Sequence, residues 1–258
     1  MKYLFSEEGH ADLARLAMLR TLYAFDFDGT LAPIETLPDK TRTPTNVMRL
    51  LQGLGQQACV AVISGRQRAD LVERLPANLR YLVGNHGNEG GPLALDKPAL
   101  RAVCRGWIAQ LEQLLAGGAH LIQIEDKGLS LSLHYRLARE REGAARWLAD
   151  SIEQLEPRPR VIGGKLVFNL LPPGAQTKFE ALAEMVAAEL ADAVLFVGDD
   201  DTDELVFAQA PADWVTVRVE MHRASRARYF LHQQSNVAML LDHLVRHRTA
   251  AARKLRAL

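Results

Sequence analysis

Short apolar runs, each ending in a polar or glycine position, alternate along this chain with segments whose apolar residues recur at helical spacing. The runs cover 22–25, ending at Asp26; 58–63, ending at Ser64-Gly65; 81–83, ending at Gly84; 194–197, ending at Gly198-Asp199; and 214–219. They are rich in β-branched residues and apolar at consecutive positions, so both faces must be covered, as in the central strands of a parallel sheet. Between them, Phe179, Leu182, Ala183, Val186 and Leu190 keep a helical period, as do Val237, Leu240, Leu241 and Leu244 after a capping residue at Ser235. This alternation implies right-handed crossovers and a doubly wound α/β core. Such sheets bind ligands beyond the carboxyl ends of their strands, where the polar residues that end the runs would lie.

From residue 95 to 171 the rhythm changes. Leu100, Val103, Trp107, Leu111 and Leu114 suggest a helix, followed by a strand at 121–125 and a strict alternation from 129 to 136. A second helix near 140–155 precedes two strands, near Val161 and over 166–170, with Gly163-Gly164 as their hairpin turn. The expected organisation is a core of 1–94 and 172–258 carrying an α+β cap of 95–171. Leu129, Leu131, Leu133 and Tyr135 would point one way, and Ser130, Ser132, His134 and Arg136 the other. Lys165, Val167 and Asn169 share the polar side on the last strand. With helices over the apolar face, the open face carries Glu125, His134, Arg136 and Asn169. That face could hydrogen-bond a polyol, or it could be a plain solvated surface.

Composition narrows the classes. The 258 residues are 48% hydrophobic and 24% charged, as in an ordinary globular protein. Lys and Arg (31) balance Asp and Glu (31), which supplies no general attraction to nucleic acid or an anionic membrane. Any bound anion must be held by local groups. Cys59 and Cys104 stand far apart and read as small core residues. No apolar stretch approaches the roughly 18 residues of a membrane span. Glu7, Glu8, His10 and Asp12 occupy positions that a signal peptide would keep apolar, so a cytoplasmic protein is expected, and a monomer.

Four segments carry candidate chemistry. In YAFDFDGTLAP (23–33) a buried strand delivers Asp26, with Asp28 two residues on. Two carboxylates at a sheet mouth can hold a hard divalent cation such as Mg²⁺, which would let ionised Asp26 approach the phosphorus of a phosphate ester. Asp28 could then protonate the leaving oxygen and later activate water. The plainer alternative is an Asp-Gly turn. Ser64-Gly65-Arg66 could cradle phosphate, or Ser64 could simply cap a helix. Lys178, after Pro172-Pro173-Gly174, could offset charge at the nucleophile and the transferring phosphoryl group, or lie on the surface. GDDDTDE (198–204) crowds four aspartates after a strand. A helix N-terminus accounts for one or two of them, and a metal would account for all. All four segments fall at carboxyl ends of core strands or on the helix feeding one. Together they supply a nucleophile and acid, a clamp, a cation and a metal cage.

These motifs resemble, in order, those of the haloacid dehalogenase superfamily, at Asp26/Asp28, Ser64, Lys178 and Asp199/Asp200, with the insert placed as in its type-2 capped members. Within it the chain is similar to the trehalose-6-phosphate phosphatase family in FDGTLAPI, SGR, GNHGNE (84–89), EDKGLSLSLHYR (125–136) and GDDDTDE. The resemblance covers nearly the whole chain. It implies Mg²⁺-dependent hydrolysis of trehalose 6-phosphate to trehalose and phosphate through an aspartyl-phosphate on Asp26. Asp28 would act as acid and base and offer its backbone carbonyl to Mg²⁺, and Asp199 would complete the metal site with Asp200 and Asp203 in support. Ser64 and Lys178 would hold the phosphoryl group, with Arg66, Asn85 and His86 near the cleft. Glu125, Lys127 and Arg136 would reach the sugar from a cap that closes over it. One position departs from the pattern: the family usually carries glutamate where this chain has Asn169, and an amide cannot accept at two oxygens. The alternatives are another sugar or glycosyl phosphate as substrate, a phosphomutase, or a non-catalytic phosphosugar sensor, against which Asp28 argues.

Overall fold

A computed structural model describes residues 1–35, 38–116, 121–164 and 166–256. In chain order the elements are β1 (Lys2–Tyr3), α1 (Glu7–Met18), β2 (Thr21–Phe25), α2 (Thr45–Gly55), β3 (Cys59–Ile63), α3 (Arg68–Arg74), β4 (Tyr81–Val83), α4 (Lys97–Leu114), β5 (Gln123–Asp126), β6 (Leu131–His134), α5 (Arg141–Ile152), β7 (Arg160–Gly164), β8 (Val167–Leu171), α6 (Lys178–Glu189), β9 (Ala193–Gly198), α7 (Asp201–Gln209), β10 (Val215–Val219), β11 (Tyr229–Leu231) and α8 (Asn236–Arg256). The chain divides into two compact units, Met1–Leu93 with Thr177–Leu258, and Ala94–Gln176.

The first unit is a parallel sheet in the order β1-β11-β10-β9-β2-β3-β4. The chain winds outward in both directions from β2, so the order reverses between β2 and β9. A crevice at the carboxyl ends of these two strands follows from that reversal. Successive side chains go to opposite faces. Tyr23 and Phe25 join Val62, Val197 and the buried residues of α1, α2 and α8 on one face. Leu22 and Ala24 join Ile63, Phe196 and residues of α6 and α7 on the other. Both faces of the central strands are thus buried, which is why they read as unbroken apolar runs.

Two short strands at one side of the sheet have no counterpart in the sequence pattern. β1 and β11 are two and three residues long, too short for periodicity to mark. On α6 the buried face is Lys178, Ala181, Leu182 and Met185. The stripe read from apolar residues is therefore rotated, and Leu190 ends the helix exposed in a left-handed conformation (φ 49°). A lysine lies on the buried face because its charge has partners there.

The second unit is an antiparallel sheet, β5-β6-β8-β7, whose apolar face is covered by α4 and α5 around Trp107, Leu111, Leu131, Leu133, Leu148 and Leu170. Two expectations are corrected. Gly163 and Gly164 pair with Phe168 and Val167, so both belong to β7 and the chain reverses after them, with Leu166 at φ 62°. The strand ends at His134; Tyr135 still packs on the apolar face, but Arg136 lies in a following turn, exposed. Lys165 lies outside the described residues.

Candidate active site

Two strand ends and one helix start build the centre. Asp26 follows β2 and is buried, its N–H donating to Val197 O at 2.8 Å, so sheet pairing with β9 continues to this residue. The chain then turns: Thr30 and Ala32 donate to Phe27 O, and Gly29 has φ +77°. A Cβ on Gly29 would lie 2.1 Å from Asp199 Oδ2, so the turn and the carboxylate need glycine for space as well as conformation. After β9, Asp200 caps α7 by accepting from Thr202 N at 2.8 Å, and Asp203 Oδ2 accepts from Asp199 N and Asp200 N at 2.9 and 3.2 Å. Lys178 opens α6, where a reciprocal cap between Thr177 and Glu180 fixes the first turn. Its ammonium, only 3% exposed, donates to Asp26 Oδ1 at 2.6 Å and Asp203 Oδ1 at 2.8 Å.

Carboxylate oxygens of Asp26, Asp199 and Asp203 lie within 4.8 Å of one another. One ammonium stands against three converging carboxylates. Burial pushes Asp26 well above the usual carboxylate range although Lys178 opposes it. Burial, then the charges of Asp203 and Asp200, raise Asp199 to about 8. Asp203 is raised to about 6, burial again leading and Lys178 opposing. Burial works against the charge on Lys178, but Asp203, Asp26 and Asp200 outweigh it and hold it protonated. Asp200 goes the other way: Lys178 and the Thr202 hydrogen bonds outweigh its burial and lower it. Such a crowd of buried carboxylates can be relieved by protons or by a second cation. An all-oxygen donor set of this kind suits a hard divalent ion such as Mg²⁺.

A second layer surrounds this centre. The Asp28 carboxylate receives a two-point contact from Arg66, Nε to Oδ2 and Nη2 to Oδ1, each 2.7 Å. Arg66 also donates to Asp70 and Thr41 and lies over the Phe27 ring. Ser64 follows β3, buried, and its Oγ accepts from Arg66 N at 3.2 Å. Gln67 precedes α3, so Ser64 is not the cap of that helix. Asn85 and His86 occupy a buried 3₁₀ turn at φ 50° and 58°. They tie back to the preceding loop through Asn85 N to Arg66 O and His86 N to Ser64 O.

In the second unit, Glu125, Ser132 and Asn169 stand opposite one another across β5, β6 and β8. Ser132 Oγ donates to Asn169 Oδ1 at 2.7 Å, both residues buried. Glu125 contacts His134 at 2.8 Å and Lys127 at 3.7 Å. The His134 hydrogen bond, together with the Lys127 charge, holds Glu125 below its ordinary range despite burial.

Known proteins resemble this chain in sequence and in fold. A trehalose-phosphatase family model matches residues 24–94. A trehalose-6-phosphate phosphatase of Escherichia coli (strain K12) is 37% identical over 196 residues, 71% of each chain. The chain belongs to the trehalose-6-phosphate phosphatase family. The trehalose-phosphate phosphatase of Mycobacterium tuberculosis (strain H37Rv) is 31% identical over 238 residues, and this chain spans 60% of its length. Among solved structures, an Aspergillus fumigatus trehalose-6-phosphate phosphatase superposes with a TM-score of 0.67 at 25% identity, covering 95% of this chain and 99% of that one. The C-terminal domain of a Candida albicans trehalose-6-phosphate phosphatase gives 0.69 at 20% identity over 92% and 96%, a likeness of fold.

Of the residues expected from the family resemblance, Asp26, Lys178, Asp199 and Asp203 are brought together at the strand ends. Within this group the Asp203 carboxylate stands in the cluster with Asp26 and Asp199, while the Asp28 carboxylate is engaged by Arg66 and Asp200 accepts at the start of α7. Ser64, Arg66, Asn85 and His86 form the adjoining loops. On the polar side of the second unit's sheet, Ser130, Ser132 and Asn169 are buried, His134 is half-buried and Glu125 is exposed. Thr30 was not legible as a site residue. It is buried and donates to Asp199 Oδ1 at 3.3 Å, while its carbonyl accepts from Gln234. No periodicity marks a threonine in a turn; only its place beside Gly29 could have. Among the described residues, no helix is long and apolar enough to cross a membrane.

Proposed function

We propose that this phosphatase hydrolyses trehalose 6-phosphate to trehalose and phosphate at Asp26. The observation that carries the reading is the Lys178 ammonium bridging Asp26 and Asp203 beside Asp199, at the reversal point of the sheet. Asp26 attacks phosphorus, and the bond to the sugar oxygen breaks as Asp28 delivers a proton to it. Asp28 then takes a proton from the water that cleaves the aspartyl-phosphate. Arg66 must loosen its hold on Asp28 for either transfer. Lys178 and Ser64 hold the phosphoryl oxygens, with Asn85 and His86 shaping the loops behind them.

Asp26, Asp199 and Asp203, with the Asp28 backbone carbonyl, would hold Mg²⁺, and Asp200 would support the loop. Bound there, the ion would neutralise phosphate charge and keep Asp26 ionised. The second unit is proposed as the cap that recognises the sugar through Glu125, Lys127, Arg136 and Asn169. Because Asn169 Oδ1 already accepts from Ser132, the amide offers a sugar hydroxyl its N–H donors and one remaining acceptor lone pair. A cytoplasmic monomer acting on a small-molecule sugar phosphate completes the proposal.

Phosphate release from a panel of sugar phosphates, with and without Mg²⁺, tests it. Trehalose 6-phosphate should lead the panel, and Asp26→Asn should lose on the order of 10⁴-fold in kcat. A different sugar in the lead would replace the substrate but keep the chemistry. Undiminished turnover in Asp26→Asn would remove the mechanism.

A further inference from the structure

Glu204 is an acid of the 198–204 segment that the proposed chemistry leaves unused. It sits in the first turn of α7, and its Oε1 accepts from Arg218 Nη1 at 2.6 Å. Its Oε2 accepts from Arg226 N at 2.9 Å. Arg218 lies on β10, in register with Gly198 at the end of β9, and is only 9% exposed. The same Nη1 donates to the backbone carbonyl of Asp200 at 3.3 Å. The Arg218 side chain also lines a cleft of about 250 Å³ shared with Gly29, Asp199 and Gln234.

The 199–200 segment is therefore held from two sides. Asp203 takes its two amide N–H groups, and Arg218 takes the Asp200 carbonyl. We infer that the Arg218–Glu204 pair is a positioning device for the metal cage, fixing the segment that presents Asp199. The inference rests on reading the acidic cluster as a Mg²⁺ site. Octahedral Mg²⁺ tolerates little displacement of its ligands, so a brace on the ligand-bearing backbone feeds directly into affinity. The pairing also explains why a guanidinium can sit so close to a cation site. Alone it would repel the ion; matched by Glu204 it braces the loop without adding net charge.

The test is Mg²⁺ titration calorimetry on the substrate-free protein, with the Mg²⁺-induced rise in Tm as a second readout. Arg218→Met should weaken Mg²⁺ about tenfold or more, the usual size of an outer-shell loss. Glu204→Gln should also weaken it, by leaving the guanidinium uncompensated. The double variant should be no worse than Arg218→Met alone, because both act through one contact. Arg218→Lys should recover part of the loss, and raising Mg²⁺ should restore turnover in every variant. If Arg218→Met does not fold, Glu204→Gln decides. Mg²⁺ affinity within about twofold of the parent in these variants would overturn the inference if Asp199→Asn still loses the ion. If Asp199→Asn keeps it too, the metal-site reading falls with it.

Discussion

Lys178 shows how far a single residue can depart from its average behaviour. Lysine is among the residues least often fully buried, yet here its ammonium is surrounded by carboxylates and almost sealed from water. Lys178→Met would leave Asp26 and Asp203 without their shared cation. Breaking a buried ion pair from one side costs about 3–5 kcal/mol. Urea denaturation of the metal-free protein should show a loss of that size at neutral pH. The loss should shrink in acid as the carboxylates protonate; an equal loss at every pH would contradict the charge argument. Gly29 is the complementary case, where the absence of a side chain matters. Gly29→Ala forces a left-handed turn worth about 1–2 kcal/mol against an L-residue and drives a methyl group into Asp199. It should therefore reduce Mg²⁺ affinity in calorimetry as well as lower Tm.

At the scale of elements, the acidic segment between β9 and α7 couples stability to pH. Asp203 near 6 and Asp199 near 8 both lie above the ordinary carboxylate value. Without a metal, the folded chain holds protons that the unfolded chain has already released. That contribution is complete below about pH 4 and is lost as pH rises through about 6 and then about 8. Metal-free Tm should fall across this window. The gain on adding Mg²⁺ should grow over the same window, because the ion competes with those protons. Thermal melts in chelator and in Mg²⁺ would check both, and a Mg²⁺ gain larger at low pH than at high pH would refute the assignment. The same segment is partly legible in the sequence: four aspartates after an apolar run announce a charge problem. Which of them converge was not legible, because the cap of α7 turns Asp200 aside and folds Asp203 back.

For the whole molecule, the proposal assigns phosphoryl chemistry to one unit and sugar recognition to the other. Trp107 is fully buried among Leu111, Leu131 and Leu148 in the second unit, with its Nε1 donating to Pro157 O. Trp107→Ala should cost that unit about 3–5 kcal/mol. If the division of labour holds, kcat/KM for trehalose 6-phosphate should fall much further than kcat/KM for a small aryl phosphate. Equal losses on the two substrates would argue that the second unit does not select the sugar.

The strand runs, the switch to an antiparallel insert and the four polar motifs could all be read along the chain. Burial on two faces or one imposes a local hydrophobic period, and local periods survive in one dimension. What needed three dimensions were contacts between segments far apart in sequence. Arg66 seizing Asp28, Lys178 reaching Asp26 across 152 positions, and Thr30 meeting Asp199 leave no periodic trace. Such pairings depend on which strands lie side by side, and only the order of the folded sheet decides that.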